Sequence, residues 1–395
     1  MGTEPLPQAS PPVAESSRVS TDESASENAA LAPVFDDGDA PRAERAGVDA
    51  STFYKDAFAL YDALSSEERK MLNPKEKVDA DQAAALFEKI KPIMELLRRA
   101  AKADYCDWAL GEPSVDRKSP QSSKAIGLAN VAVWSANYRF ATDQEGAVDD
   151  IAVLSPLGHH VSDTLIAFVM RTGIEAWSAG FFREHAAEFD DVARAKASAF
   201  LAGSTVDSDL KNALAGEVAI QRSSHQKYIA QSPDERSRLM EQFGLDFGDE
   251  SDPNSVKRRV QAEAIFRDPS KFTAEMNFVQ KVQEQMFEVM SWPDAQFDAW
   301  MEQFSPENIS EHPIAVPLMD AHRSIRRTLQ RVKISREMMR VGLAVFESGP
   351  EVVGQSRDPV TGRSFIYVPK TDGFDLQSTF QNDGKPVTMS LDLPK

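Results

Sequence analysis

Cysteine is almost missing from this chain. Cys106 is the only one in 395 residues, so no disulfide can form within the chain and a cysteine-based metal site has no second thiolate to build on. Long apolar runs are missing too. No stretch reaches the roughly 18 consecutive apolar residues that a membrane-spanning helix needs. The opening Met1-Gly2-Thr3-Glu4-Pro5 has neither the basic start nor the apolar run of a secretory signal. The sequence as given therefore reads as cytoplasmic, and a periplasmic or cell-envelope location requires that a signal or anchor was removed from a longer form. Positive charge is in short supply: 44 Lys and Arg stand against 62 Asp and Glu, a net charge of −18. Such a surface repels phosphate backbones and excludes generic nucleic-acid binding.

Catalytic signatures are absent as well. There is no His-Glu-x-x-His zinc motif, no Gly-x-Ser-x-Gly elbow, no Walker loop and no dinucleotide glycine fingerprint. None of the six histidines follows a Glu by three residues, which excludes the Glu-x-x-His pairs of di-iron bundles. The sequence implies no cofactor and no enzymatic activity.

What is present is ordinary globular material: 42% hydrophobic and 27% charged residues, enough for a real core. Its length suits two to three domains or one extended helical array. Residues 1–48 are rich in Ser, Ala, Pro, Glu and Asp, and their acidic side chains outnumber Arg18, Arg42 and Arg45. Such a segment cannot offset its ordering entropy by burial and is expected to be a disordered acidic tail, either an inert spacer or a bait for a basic partner.

Helical periodicity fills residues 49–347. Ser51 can cap a helix with Phe53, Ala57, Leu60, Tyr61 and Leu64 on one face. Ser65 and Glu68 have the spacing of a capping box. Asp81 to Tyr105 reads as a helix with Leu86, Ile90, Ile93, Met94 and Leu97 inward and a bend at Pro92. Lys124 to Ala141 (Ile126, Val133, Tyr138 inward), Glu145 to Leu154 and Asp163 to Phe182 follow, the first two separated by a tight break at Thr142-Asp143. Helix pairs joined this tightly are how α-solenoids are built. Ser232-Pro233-Asp234 leading to Met240-Glu241-Gln242-Phe243, and Trp292-Pro293-Asp294 leading to Met301-Glu302-Gln303-Phe304, form a degenerate pair roughly sixty residues apart. A last helix runs from Leu318 to Phe346.

After that the period changes to two. Residues 364–368, 373–377 and 387–391 read as strands, and Thr371-Asp372-Gly373 and Asn382-Asp383-Gly384 as hairpin turns. A meander this small is marginal alone and should pack on the last helix. The fold class that follows is mainly α, a helical-hairpin array of solenoid type, with a three-stranded β-meander in a C-terminal module, residues 348–395.

Candidate functional residues fall into four groups. Arg323, Arg326, Arg327, Arg331, Lys333, Arg336 and Arg340 concentrate positive charge on the last helix of an acidic chain. They form either a face paired with neighbouring acidic helices or a docking surface for an acidic partner. His160 with Asp163, and His185 with Glu188, have spacings that could share a proton or a metal, although histidines in turns and helix-end charges do the same without function. Asp246, Asp249, Glu250 and Asp252 make an acidic loop without the alternating pattern of an EF-hand. Seven of the thirteen methionines lie between Met276 and Met339, where core filling and an adaptable groove are both open readings.

Two stretches resemble known families. Ala141 to Asp150, with Gly146-Ala147 after a short break, is similar to the turn and second helix of a tetratricopeptide unit. Arg357-Asp358-Pro359-Val360-Thr361-Gly362-Arg363, with Phe365, Tyr367, Gly373-Phe374 and Leu376-Gln377-Ser378, resembles the β-module of type II secretion pseudopilins. The same tail occurs on helical envelope proteins of planctomycete-like bacteria, which resemble this chain also in Cys106-Asp107-Trp108. The chain departs from both patterns. No Asp-rich calcium loop follows Ser378, and the membrane anchor with which such envelope proteins usually begin is not seen. The resemblance implies a bacterial envelope setting. Together these readings point to a non-enzymatic helical scaffold that binds a protein partner. A metal protein using the histidines, or a subunit of a homomeric or secretion-type assembly, are the alternatives.

Overall fold

The computed structural model describes residues 47–73, 76, 78–109, 120–203, 206–229, 232, 235, 251–305, 309–382 and 384–393. The acidic tail up to residue 46, the loop at 110–119, the Met240–Phe243 arm of the degenerate pair, and Asp246, Asp249 and Glu250 lie outside them.

The first helix, α1 (Ala50–Asp62), is capped by Asp49, whose carboxylate accepts from Ser51 N–H, rather than by Ser51. Its buried face is also rotated from the expected one. Tyr54 and Phe58 go inward and Leu60 stays out, because Trp108 stacks on both rings from the Cys106-Asp107-Trp108 segment. The capping box of Ser65 and Glu68 starts α2 (Ser66–Met71) as expected. On α3 (Ala80–Ala100) the stripe Leu86, Ile90, Ile93, Met94 and Leu97 is buried, with Pro92 inside the helix. The helix stops five residues short of Tyr105, since Asp104 and Tyr105 N–H turn back to donate to the Val48 carbonyl.

In α4 (Pro120–Phe140) the core face is a stripe of small residues, Ala125, Ala129, Ala132 and Ala136, while Ile126 and Tyr138 lie at the surface. α5 (Gln144–Ala152) follows after the Thr142-Asp143 turn, where Asp143 caps by accepting from Gly146 N–H. A helix that the sequence suggests only as a turn follows, α6 (Leu154–Val161); Pro156 falls in its first turn, where a missing N–H is harmless. Next come α7 (Leu165–His185), α8 (Asp191–Ala202), α9 (Val206–Ile229), α10 (Pro253–Arg267), α11 (Pro269–Val289) and α12 (Asp294–Glu302). The longest helix is α13 (Ala315–Ser348), followed by the short α14 (Val352–Gln355).

One apolar core joins α1, α3 to α8, the second half of α13 and the sheet. A second joins α9, α11, α12 and the first half of α13, and receives Phe168 of α7. All seven methionines between Met276 and Met339 are buried, so they fill core. Consecutive helices pack as neighbours in α4–α5 and α6–α7, but α13 lies on α7 and α8, far earlier in sequence. The chain is thus mainly α, closed by its last long helix, and residues 47–395 form one compact unit.

Strands β1 (Ile366–Lys370), β2 (Gly373–Asn382) and β3 (Lys385–Asp392) form the antiparallel meander, in order β1-β2-β3. It packs on α13 as expected. Phe374 meets Phe346, with ring centroids 5.4 Å apart, and a Cβ on Gly342 would collide with Leu391. Asp358 locks the entry turn: its buried carboxylate accepts from Val360 N–H, Thr361 N–H and the Ser378 hydroxyl, and Gly362 takes φ +69°. Ser378, part of the pseudopilin-like pattern, is therefore a partner of Asp358.

Cys106 is half-buried at the edge of the first core. Burial, aided by the neighbouring Asp49 and Asp107, pushes its thiol up to about 12. Only the thiolate attacks disulfide reagents, so labelling of native protein with a thiol reagent at pH 8 is expected to be orders of magnitude slower than in urea-unfolded protein. Equal rates in the two states would overturn this.

Candidate functional site

Between Leu165 and Phe182 the only charged residues are Arg171 and Glu175, and α7 turns both inward. They join a buried charge network drawn from four helices. Asp209 of α9 pairs with Arg171 and with His159 of α6, Glu175 lies 3.9 Å from Arg171, and Arg336 of α13 pairs with Glu175. Two cations thus meet two carboxylates between the apolar cores, a balance such a low-dielectric site requires. Burial draws the Arg336 charge down and Glu175 works to restore it.

Arg336 does more. Its guanidinium donates to the carbonyls of Leu201 (2.7 Å), Phe200 and Gly203, which are the open end of α8. Arg326, ten residues earlier, donates to the carbonyls of Met290 and Trp292 just beyond α11, and to Asp294 at 2.9 Å. Each arginine places a cation at a helix C-terminus, where the unpaired carbonyls carry partial negative charge. At its own start α13 has no side-chain cap of its own; Glu275 of α11 accepts from Ile314 and Ala315 N–H.

The seven basic residues of α13 are therefore not one face. Arg326 and Arg336 are buried clamps. Lys333 pairs with Asp207 at 2.5 Å, Arg340 with Glu337 and Arg323 with Asp320. Arg327 and Arg331 are exposed.

The histidine pairs are also divided among other tasks. His160 Nδ1 lies 3.0 Å from the Tyr54 hydroxyl, and Trp108 Nε1–H donates to the His160 carbonyl. His185 Nε2 meets Asn137 Oδ1 at 2.9 Å and its ring stacks on Phe140. Asp163 sets its carbonyl against Gly216, and Glu188 is exposed. Among the described residues no three His, Cys, Asp or Glu groups converge on a metal-sized site. Asp252, the described part of the acidic loop, caps α10.

Burial and the neighbouring His159 hold the His160 imidazole down at about 4, and burial raises Tyr54, so the hydrogen bond joins a neutral phenol to a neutral ring. A base whose folded pKa lies below its unfolded value of about 6.5 binds protons better when unfolded. Its contribution to stability is complete above that value and is lost as pH falls from about 6.5 through 4. The urea midpoint is expected to drop between pH 7 and pH 4.5, and less steeply in His160→Asn, which keeps an acceptor for Tyr54. Equal slopes in the two proteins would remove His160 from the account.

The outward side of α7 is apolar as well, although Phe168, Ile174, Phe181 and Phe182 are buried on the inward side with the charged pair. Ile166 is 76% exposed and Val169 48%, and Gly173 and Ala176 are exposed in line with them. Arg171 and Glu175 stand roughly opposite, as 3.6 residues per turn dictates. The stripe enters a cavity of about 500 Å³ walled by Phe200 and Leu201 of α8, Arg331 and Val332 of α13, and Met389 of β3. Glu175 and Arg336 line its depth. A second cleft, of about 1300 Å³, shares Ala176, Gly180 and Arg183 with the first, so the two form one groove along α7. No described atom lies within 4 Å of where a Cβ on Gly173 or Gly180 would be. The α7 groove was missed by sequence reasoning, though the placement of Arg171 and Glu175 opposite an apolar stripe was a readable signal.

No protein-family model, curated protein or solved structure matches this chain.

Proposed function

We propose that this protein is a non-enzymatic helical scaffold and that the groove along α7 is its protein-binding face. One observation carries the reading: α7 is apolar on both sides, burying Phe168, Ile174, Phe181 and Phe182 beside its charged pair while a second apolar stripe stands in water. Single exposed apolar residues are common on any surface and need no account. Here Ile166, Val169, Gly173, Ala176 and Gly180 continue one stripe into a groove with open space above both glycines. Leaving an Ile or Val side chain in water forgoes up to about 1.5–3 kcal/mol relative to burying it. A partner that covers the stripe recovers that energy. The envelope setting rests on resemblance alone, that of residues 357–378 and of Cys106-Asp107-Trp108.

A photo-crosslinking residue at position 166 tests the reading in the native host. Position 192 on α8 serves as control, since Val192 is 61% exposed but outside the groove. The expected result is a discrete crosslinked species at 166 and none at 192. Matching patterns at both positions, or none at either, would count against the groove.

A further inference from the structure

Resting on that reading, we infer that the occupant of the groove is an amphipathic helix carrying acidic residues along the flank that faces α13. The floor sets the shape. Val169, Gly173, Ala176, Gly180 and Arg183 follow one another at alternating spacings of four and three, the repeat by which one helix presents a seam to another, and Ile166 continues that spacing beyond the mouth of the cavity. Glycine and alanine at its centre let a second helix approach closely and seat leucine-sized knobs. The floor is also longer than the cavity alone, because the second cleft extends it toward the end of α7.

The rim sets the charge. Arg183 and Arg331 are both exposed, both line the cavity, and neither has a carboxylate within ion-pair reach among the described residues. Arg331 also borders a small surface pocket with Arg327 and Arg323, which makes the α13 wall basic. In a chain of net charge −18, arginines left unneutralised beside an apolar groove select an acidic partner. Within the same cavity the Ser178 hydroxyl is buried without a hydrogen-bond partner. Around Arg183 the second cleft also carries Glu184, Glu188 and Asp392, so acid is disfavoured at that end and favoured toward Arg331 and the α13 wall, which fixes the direction in which the helix lies.

The probe is a designed helical peptide with leucine at heptad positions a and d, made in two versions with glutamate or lysine at the flanking e and g positions. Binding to the full chain is read by fluorescence anisotropy at low salt. The glutamate peptide is expected to bind at least tenfold tighter than the lysine peptide. Arg183→Glu combined with Arg331→Glu should erase that preference, and Gly173→Leu should weaken both peptides. Leucine replaces glycine at an exposed helical position there, which favours the helix, so lost binding would not reflect unfolding. Equal affinity of the two peptides would overturn the acidic partner while leaving the groove reading intact. Tight glutamate-peptide binding that ignores Gly173→Leu would place the contact elsewhere and overturn the inference. Failure of either peptide to bind also overturns it, whereas the groove itself is judged by crosslinking at position 166.

Discussion

Arg336→Ala is expected to lower the unfolding free energy by about 3–5 kcal/mol, the range found when one member of a buried ion pair is removed. Arg171 alone would then face the two buried carboxylates Glu175 and Asp209, leaving the network one cation short, and the carbonyls of Phe200, Leu201 and Gly203 would lose their donors. Urea denaturation of the two proteins measures the effect directly. Replacing both partners, as Glu175→Gln with Arg336→Met, should be milder than Arg336→Ala alone, because no buried charge is then stranded and only the α8 carbonyls lack a donor. A loss under about 1 kcal/mol for the single variant would mean that water reaches the network.

Phe374→Ala is expected to cost about 3–5 kcal/mol, as for a large aromatic removed from a packed core. Phe374 is buried on β2 between Phe346 of α13, at 5.4 Å between ring centroids, and Tyr367 of β1, at 5.2 Å. The sheet is too small to stand alone, so this loss should register in the global transition and not as separate melting of the tail. Hydrogen exchange gives the check. Amides of β2 and of the second half of α13 should exchange at a common, slow rate, and β2 amides exchanging far faster would refute the shared unit.

Sequence patterns were most legible where one face was bulky and regular. Leu86, Ile90, Ile93, Met94 and Leu97 lie as their spacing requires, and Ser65 with Glu68 caps as its motif requires. The alternating tail was legible too, although β2 runs on to Asn382. Misreadings arose where a distant segment decides. Trp108 selects Tyr54 and Phe58 over Leu60 as the inner face of α1. The alanines of α4 carry little hydrophobic signal and yet form a fully buried stripe. Positive charge on α13 reads as surface, and nothing local announces that the ends of α8 and α11 wait opposite Arg336 and Arg326. Charge inside a strongly apolar helix can be read from its angle around the axis, and α7 would have yielded its exposed stripe to that question.

The clamp by Arg336 also has a meaning in time. The carbonyls it satisfies precede it by 133 to 136 residues. A ribosome adding about 5–20 residues per second needs on the order of 7–27 s to cover that distance. Arg326 arrives only 36 residues after the Met290 carbonyl that it holds, on the order of 2–7 s at the same speed. During synthesis, then, α7 and α8 leave the tunnel long before Arg336 exists, with Glu175 facing only Arg171 and the end of α8 open. The N-terminal core assembles provisionally and is sealed by the second half of α13, whereas the end of α11 is clamped almost as soon as it is made. Translational pausing ahead of residue 336 would prolong that open interval for α8 alone.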